Sequence, residues 1–274
     1  MLLSDAVAVY IADRHTRGEV TALTARHLRS RLGMLVAACP AGLELAQLDR
    51  DLVRVWQGSV GGLRPASRRS YLSTVRTFCT WCGESGLMTA DPTIGLGRVR
   101  EPRHTPRALS AGQMARLRLV LPDARAEVVV ELMAGCGLRC CEVARLQIAD
   151  YDAGGRTIFV VGKRGDERVL PVPGSVADLV DRWAAGRRPG RLVGLSASSL
   201  SRMVTGWMDE AGIKSGPRDG VSAHALRHTF ASDMLDRCGN VRVVQEALGH
   251  VSLATTQRYL RRASLEQLRA AMGA

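Results

Sequence analysis

The apolar pattern of this chain breaks off in one place, between residues 91 and 109. That stretch carries Pro92, Pro102 and Pro106, with Gly95, Gly97 and four arginines. A segment without apolar periodicity adds nothing to a packed layer, and one rich in proline and glycine runs extended between domains. The apolar residues on its two sides must therefore close around separate cores. The expected division is an N-terminal domain over 1–94, a basic linker over 95–109 that can lie against phosphates, and a C-terminal domain over 110–274. At 274 residues the chain is long enough for two domains, and its 46% hydrophobic content supplies both cores.

The first part reads as helices joined by short turns. Residues 4–14 form one. Residues 24–37 form a second, with Thr24 as N-cap and Leu28, Leu32, Leu35 and Val36 on one face. Residues 45–58 form a third. Residues 65–84 form a fourth, with Pro65 in its first turn and Gly86 past its end. The second part opens on Ser110-x-x-Gln113, a capping-box pattern. Helices are expected at 111–120 and 124–135, then a break at Gly135-Cys136-Gly137, then a short helix opened by Arg139 with Val143 and Leu146 facing inward. Between 148 and 172 the pattern becomes that of strands, with turns at 153–155 and 164–166. Helices resume at about 175–185, 198–211, 223–237, 241–248 and 253–261. A last one, near 264–272, is amphipathic through Leu265, Leu268 and Met272. The fold class is mainly α with a small three-stranded antiparallel β-sheet, in two domains.

The chain has 38 Lys+Arg against 26 Asp+Glu, a formal charge of +12, which favours a polyanionic partner and most simply nucleic acid. Arginines cluster on the second predicted helix (Arg26, Arg29, Arg31) and on and just before the fourth (Arg64, Arg68, Arg69, Arg76). Solvated helix faces often look like this, so the clusters alone say little. The N-terminal segment is interrupted by Asp5 and Asp13, as in an amphipathic helix, and no run reaches the length of a membrane span. A cytoplasmic protein is expected on that ground, and with seven cysteines, an odd number, reduced thiols are expected too. Cys79-x-x-Cys82 lies inside an apolar helical pattern without a second CxxC, so it reads as core packing rather than a zinc site.

The chemistry lies in the order of a few side chains. His224-x-x-Arg227, His250 and Tyr259 make a phosphate clamp followed by a phenol. A phosphodiester under attack builds negative charge on its non-bridging oxygens; arginine meets it with a planar fork of donors, histidine with another donor, and tyrosine can be a nucleophile. Upstream, Arg139 offers a second fork. Lys163 stands where the second expected strand meets its turn, in a chain whose other basic residues are, apart from Lys214, all arginine. Arginine cannot release a proton at accessible pH and lysine can, which suits Lys163 to protonating a leaving oxygen. The set could cut and rejoin DNA without a metal or other cofactor.

The blocks GLRCCEVARL, GKRGDERVLPVP, SAHALRHTFASDML and ALGHVSLATTQRYL resemble the signature blocks of the tyrosine recombinase (phage integrase) family, in order and in spacing. Arg139 to Lys163 is 24 positions, Arg227 to His250 is 23, and His250 to Tyr259 is 9. The resemblance covers roughly the whole chain and is sharp from Ser110 onward. It implies a helical, SAM-like core-binding domain that lays the two arginine-bearing helices along DNA grooves, followed by a catalytic domain. It implies Tyr259 as nucleophile, a 3′-phosphotyrosyl intermediate, Arg139, Arg227, His224 and His250 around the phosphate, and Lys163 as acid. His224 is the candidate base, and Glu142 the acidic residue that orients Arg139 or a histidine. The expected assembly is a tetramer on two duplexes with inverted-repeat core sites, of one chain or paired with another recombinase, its last helix exchanged between protomers or folded back. Integration and dimer resolution by a Xer-type enzyme stay open as biological roles. The alternatives are a type IB topoisomerase, disfavoured by His224 where lysine is usual, a catalytically silent DNA-binding protein of the same fold, and a metal-dependent nuclease, for which no paired carboxylates stand out.

Overall fold

The helices of the first hundred residues close around Trp56, Tyr10 and Phe78, all buried. The computed structural model describes residues 1–97, 99, 107–162, 165–216, 219 and 221–249, and it divides into two compact units, Met1–Arg103 and His104–Ala274. In the first unit α1 (Leu3–Thr16) packs on α2 (Ala22–Ala38), and α2 packs on both α3 (Arg50–Ser59) and α4 (Pro65–Glu84). Tyr10 meets the rings of Phe78 and Trp81, and the Trp81 indole donates to Asp13. Cys79 and Cys82 are buried in this core, where desolvation pushes both thiols up, Cys82 to about 12.

Two boundaries differ from the pattern reading. The N-cap of α2 is Thr21, whose hydroxyl accepts from the Thr24 amide, so Thr24 already lies in the first turn. The segment expected as one helix over 45–58 is a 3₁₀ turn (Leu45–Gln47) followed by α3. Apolar spacing ran across both, but Asp49 takes an extended conformation and its carboxylate accepts from the amides of Asp51 and Leu52. Asp49→Ala removes that cap and is expected to cost about 1 kcal/mol, read as an earlier thermal unfolding transition. An unchanged transition would refute the capping role.

Leu96 is buried in the first unit's core and Val99 packs against it, whereas Leu109 belongs to the core of the second. Most of the residues between them lie outside those described. In the second unit the Ser110–Gln113 capping box forms and starts α5 (Ala111–Leu119). Helix α6 (Ala124–Gly135) is buried through Val128, Val129, Val130, Leu132 and Met133, and packs on α8 (Gly174–Ala184) and α10 (His224–Cys238). The short α7 (Cys140–Arg145) packs on α9 (Ala197–Glu210). Strands β1 (Tyr151–Asp152), β2 (Thr157–Val161) and β3 (Glu167–Pro171) form an antiparallel sheet in the order β1-β2-β3. Ile158 pairs with Leu170 and Val160 with Arg168 on the inward face, while Phe159 and Val169 face solvent. Helix α11 (Val241–Leu248) follows α10 and packs on it. Among the described residues no helix is long and apolar enough to cross a membrane. The helices expected at 253–261 and 264–272 lie outside the described residues.

Candidate active site

Among the described residues, Glu142 and Arg227 are the charged side chains that are buried, and they meet each other. The chain that brings Glu142 there begins at Gly137. Its φ is +67°, and a Cβ there would lie 2.4 Å from the ring of Phe230, so glycine alone fits. Arg139 then takes the extended N-cap position of α7, and Glu142 sits three residues on. Its carboxylate turns back and accepts from the Arg139 amide at 2.8 Å and from Arg139 Nη1 at 2.7 Å. The backbone thus orients the acid, and the acid holds the guanidinium.

Two further arginines converge on the same carboxylate. Arg168 Nη1 and Nη2 donate to its two oxygens at 3.2 and 3.0 Å. Arg227 Nη1 lies 3.6 Å away and donates to the Gly137 carbonyl, while Arg227 Nη2 donates to the Leu248 carbonyl. Burial would raise the Glu142 carboxyl; the Arg168 hydrogen bonds, the Arg139 amide and the charges of Arg168 and Arg227 outweigh it and hold the group below its ordinary value. It is a carboxylate at neutral pH, facing three cations.

His224 opens α10 and remains exposed, one turn before Arg227. The two share a helix face in sequence but differ in setting: Arg227 turns wholly inward, and His224 stays at the surface. Partial desolvation and the nearby charges of Arg227 and Arg139 hold the His224 imidazole below the ordinary histidine value, against the pull of Glu142. It is therefore neutral at neutral pH and able to accept a proton. The ring of His228, one turn along, packs edge-on against it with centroids 4.7 Å apart. Cys140 packs against Met133, and burial pushes its thiol up to about 11, which leaves little thiolate for chemistry.

Arg139, Glu142, His224 and Arg227 are thus brought together. Lys163, His250 and Tyr259 lie outside the described residues. Leu248 ends α11, and Gly249 follows it with φ +58° as a left-handed cap.

Residues 109–266 match the model of the phage integrase family. The chain belongs to that family. The tyrosine recombinase XerC of Salmonella typhi is 32% identical over 256 residues, covering 88% of this chain and 85% of the relative. That of Rhodospirillum centenum is 34% identical over 269 residues, covering 89% and 79%. A lambda integrase dimer bound to a COC' core site shares the fold, with a TM-score of 0.80 at 16% identity over 97% of this chain and 100% of that one. The protein is a site-specific tyrosine recombinase.

In the first unit of this recombinase, Arg26, Arg29, Arg64 and Arg69 are exposed, while Arg31, Arg68 and Arg76 are half-buried. Arg31 donates to Thr74 and stands over the Tyr71 ring, joining α2 to α4. Arg76 donates to the carbonyls of Leu96 and Gly97. These two serve the packing of the unit in this structure.

Arg168 is the member of the cluster that the pattern reading passed over. A signal was available. In Glu167-Arg168-Val169-Leu170, the period of two puts Arg168 on the same face as Leu170. An inward charge on a half-buried strand requires a buried partner of opposite sign.

Proposed function

We propose that this recombinase cuts and rejoins double-stranded DNA through Tyr259. Its phenol oxygen bonds to the scissile phosphorus as the bond from phosphorus to the 5′-oxygen breaks, leaving a 3′-phosphotyrosyl ester and a 5′-hydroxyl. His224 takes the phenol proton and Lys163 supplies one to the leaving oxygen. A 5′-hydroxyl from the partner duplex then attacks the ester and frees the tyrosine. The ester conserves the bond energy, so the cycle needs neither ATP nor a metal. Arg139, Arg227 and His250 hold the charge that grows on the phosphate.

The observation that carries this reading is the arginine cluster around Glu142 with a neutral histidine beside it. Arg139, the partly exposed arginine of the cluster, is held by Glu142 before substrate arrives, and Arg168 and Arg227 brace that carboxylate from the buried side, which is the kind of preorganisation that electrostatic stabilisation of a phosphoryl transfer requires. The other tyrosines are poorly placed for attack. Tyr10 is buried in the first unit, and Tyr71 lies on α4 under Arg31. Desolvation and the neighbouring Asp181 push the Tyr151 phenol up to about 12.

The exposed arginines of α2 and α4 would contact phosphates on either side of the cut, giving an affinity that falls with salt. The active assembly on this reading is four protomers on two duplexes with inverted-repeat core sites, built from this chain alone or with a paired recombinase. On this reading the work is done at the nucleoid in the bacterial cytoplasm.

Covalent trapping tests the proposal. The protein is incubated with nicked suicide duplexes drawn from DNA flanking its gene, with chelator present, and the adduct is digested and sequenced. The expected result is a protease-sensitive adduct whose DNA-linked peptide contains Tyr259. DNA binding without any adduct, or a link through another side chain, would reject it.

A further inference from the structure

We propose that Arg168 is a positioning residue for strand transfer, fixing the carboxylate that aims Arg139 and the end of the helix that leads to His250. The inference rests on the reading above, in which Arg139 meets the scissile phosphate. Arg168 does not need to touch DNA to act. Its side chain is only 11% exposed, and its fork is spent on Glu142. Each Glu142 oxygen receives one arm of the fork, and one Arg139 donor as well: Nη1 on Oε1, the backbone amide on Oε2. A two-point hold fixes the plane of a carboxylate, which a single charge cannot do. The direction of the Arg139 guanidinium therefore depends on Arg168 through Glu142.

The third donor goes elsewhere. Arg168 Nε donates to the Ala247 carbonyl at 3.1 Å, and a Cβ at Gly249 would lie 3.1 Å from Arg168 Nη1. With Arg227 on the Leu248 carbonyl, two guanidiniums close the C-terminal carbonyls of α11, where the helix leaves acceptors unpaired and its dipole is negative. Arg168 thus joins three parts of the chain. They are α7 with Arg139, strand β3, which follows Lys163 in sequence, and the end of α11 at Leu248, from which Gly249 leads to His250 in sequence. Small residues would satisfy the sheet at this position, since its cross-strand partner is the buried Val160. The inward arginine is explained by the site it supports.

The groups that face Glu142 are Arg139 from α7, Arg168 from β3 and Arg227 and His224 from α10. Without Arg168, burial acts on Glu142 with less opposition, so its protonation moves upward in pH.

The test measures adduct formation on a suicide duplex for the wild type, Arg168→Met, Arg168→Lys, Glu142→Gln and the Arg168→Met/Glu142→Gln double variant. Rate constants are read separately from the fraction of active protein and from DNA affinity. The expected result for Arg168→Met is a rate about 10²-fold lower, the size of effect a misplaced reacting group produces. DNA affinity is kept, and the acidic limb of the pH–rate profile moves to higher pH. Arg168→Lys returns the charge without the fork, so it recovers the limb and only part of the rate. The double variant is no slower than the slower single one, because Arg168 acts through Glu142. A wild-type rate in Arg168→Met, a loss confined to the active fraction, or additive losses in the double variant would overturn the positioning role while leaving Tyr259 chemistry standing. No adduct from the wild type itself would remove the underlying reading, and this inference with it.

Discussion

Glu142→Ala is expected to lower the melting temperature of this recombinase by roughly 6–20 °C, and to leave little strand cleavage in what remains folded. The carboxylate is 3% exposed and stands among three guanidiniums. Removing one side of a buried ion pair costs about 3–5 kcal/mol, because the remaining charge keeps its desolvation and loses its partner. In a unit of this size each kcal/mol is worth about 2–4 °C, so the expected shift is roughly 6–20 °C. Arg139 also loses the acceptor that holds it, so cleavage falls further than stability alone would dictate. Glu142→Gln keeps the shape and loses the charge, and separates the two effects. The pH dependence has a definite sign. The folded carboxyl sits below its ordinary value near 4.5, so its contribution is complete above that value and is lost as pH falls through the lower folded one. Thermal melts across that acid range should show the wild type losing stability that Glu142→Gln never had. Parallel curves for the two proteins would discard the account.

The elements whose ends carry local chemistry were legible. Pro65 at the start of α4, Ser110 and Gln113 at the start of α5, Gly137 before α7 and Gly249 after α11 each leave a mark in sequence, and each acts as its chemistry dictates. Apolar spacing alone was less reliable. It ran through Leu48 and Asp49 because Leu45, Leu48, Leu52 and Val53 keep a helical interval while the backbone between them turns. The resemblance of the sequence blocks to the family implied one site for Arg139, His224 and Arg227, with Glu142 orienting Arg139 or a histidine. The depth at which these groups sit was not visible, because depth depends on what packs from other segments. Arg227 reads like His224 on a helical wheel, yet one is wholly buried and the other exposed. Arg31 and Arg76 read like their neighbours, yet they bind inside the first unit. The link from Arg168 to Glu142 spans 26 positions and two types of element, and no local periodicity reports it.

Arg227→Lys is expected to keep the recombinase bound to DNA while slowing adduct formation by about 10²–10³, the usual cost of one transition-state donor. The two arms of Arg227 reach carbonyls on different segments, Gly137 before Arg139 and Leu248 before the left-handed Gly249. A lysine ammonium is a single point and cannot span both as a planar fork does. One carbonyl then stays buried without its donor, at a cost of about 1–3 kcal/mol. Charge next to Glu142 is kept, so the fold survives and the kinetic loss can be read. Arg227→Ala removes the charge, both hydrogen bonds and the volume, and is expected to unfold the second unit at temperatures where the lysine variant is intact. Comparing the two separates what Arg227 does for folding from what it does for catalysis. If the lysine variant cleaved at the wild-type rate, Arg227 would be a structural strut and the phosphate would have to be held by other groups. If it bound DNA and cleaved slowly, strand transfer would depend on the fork that ties the segment before Arg139 to the end of α11.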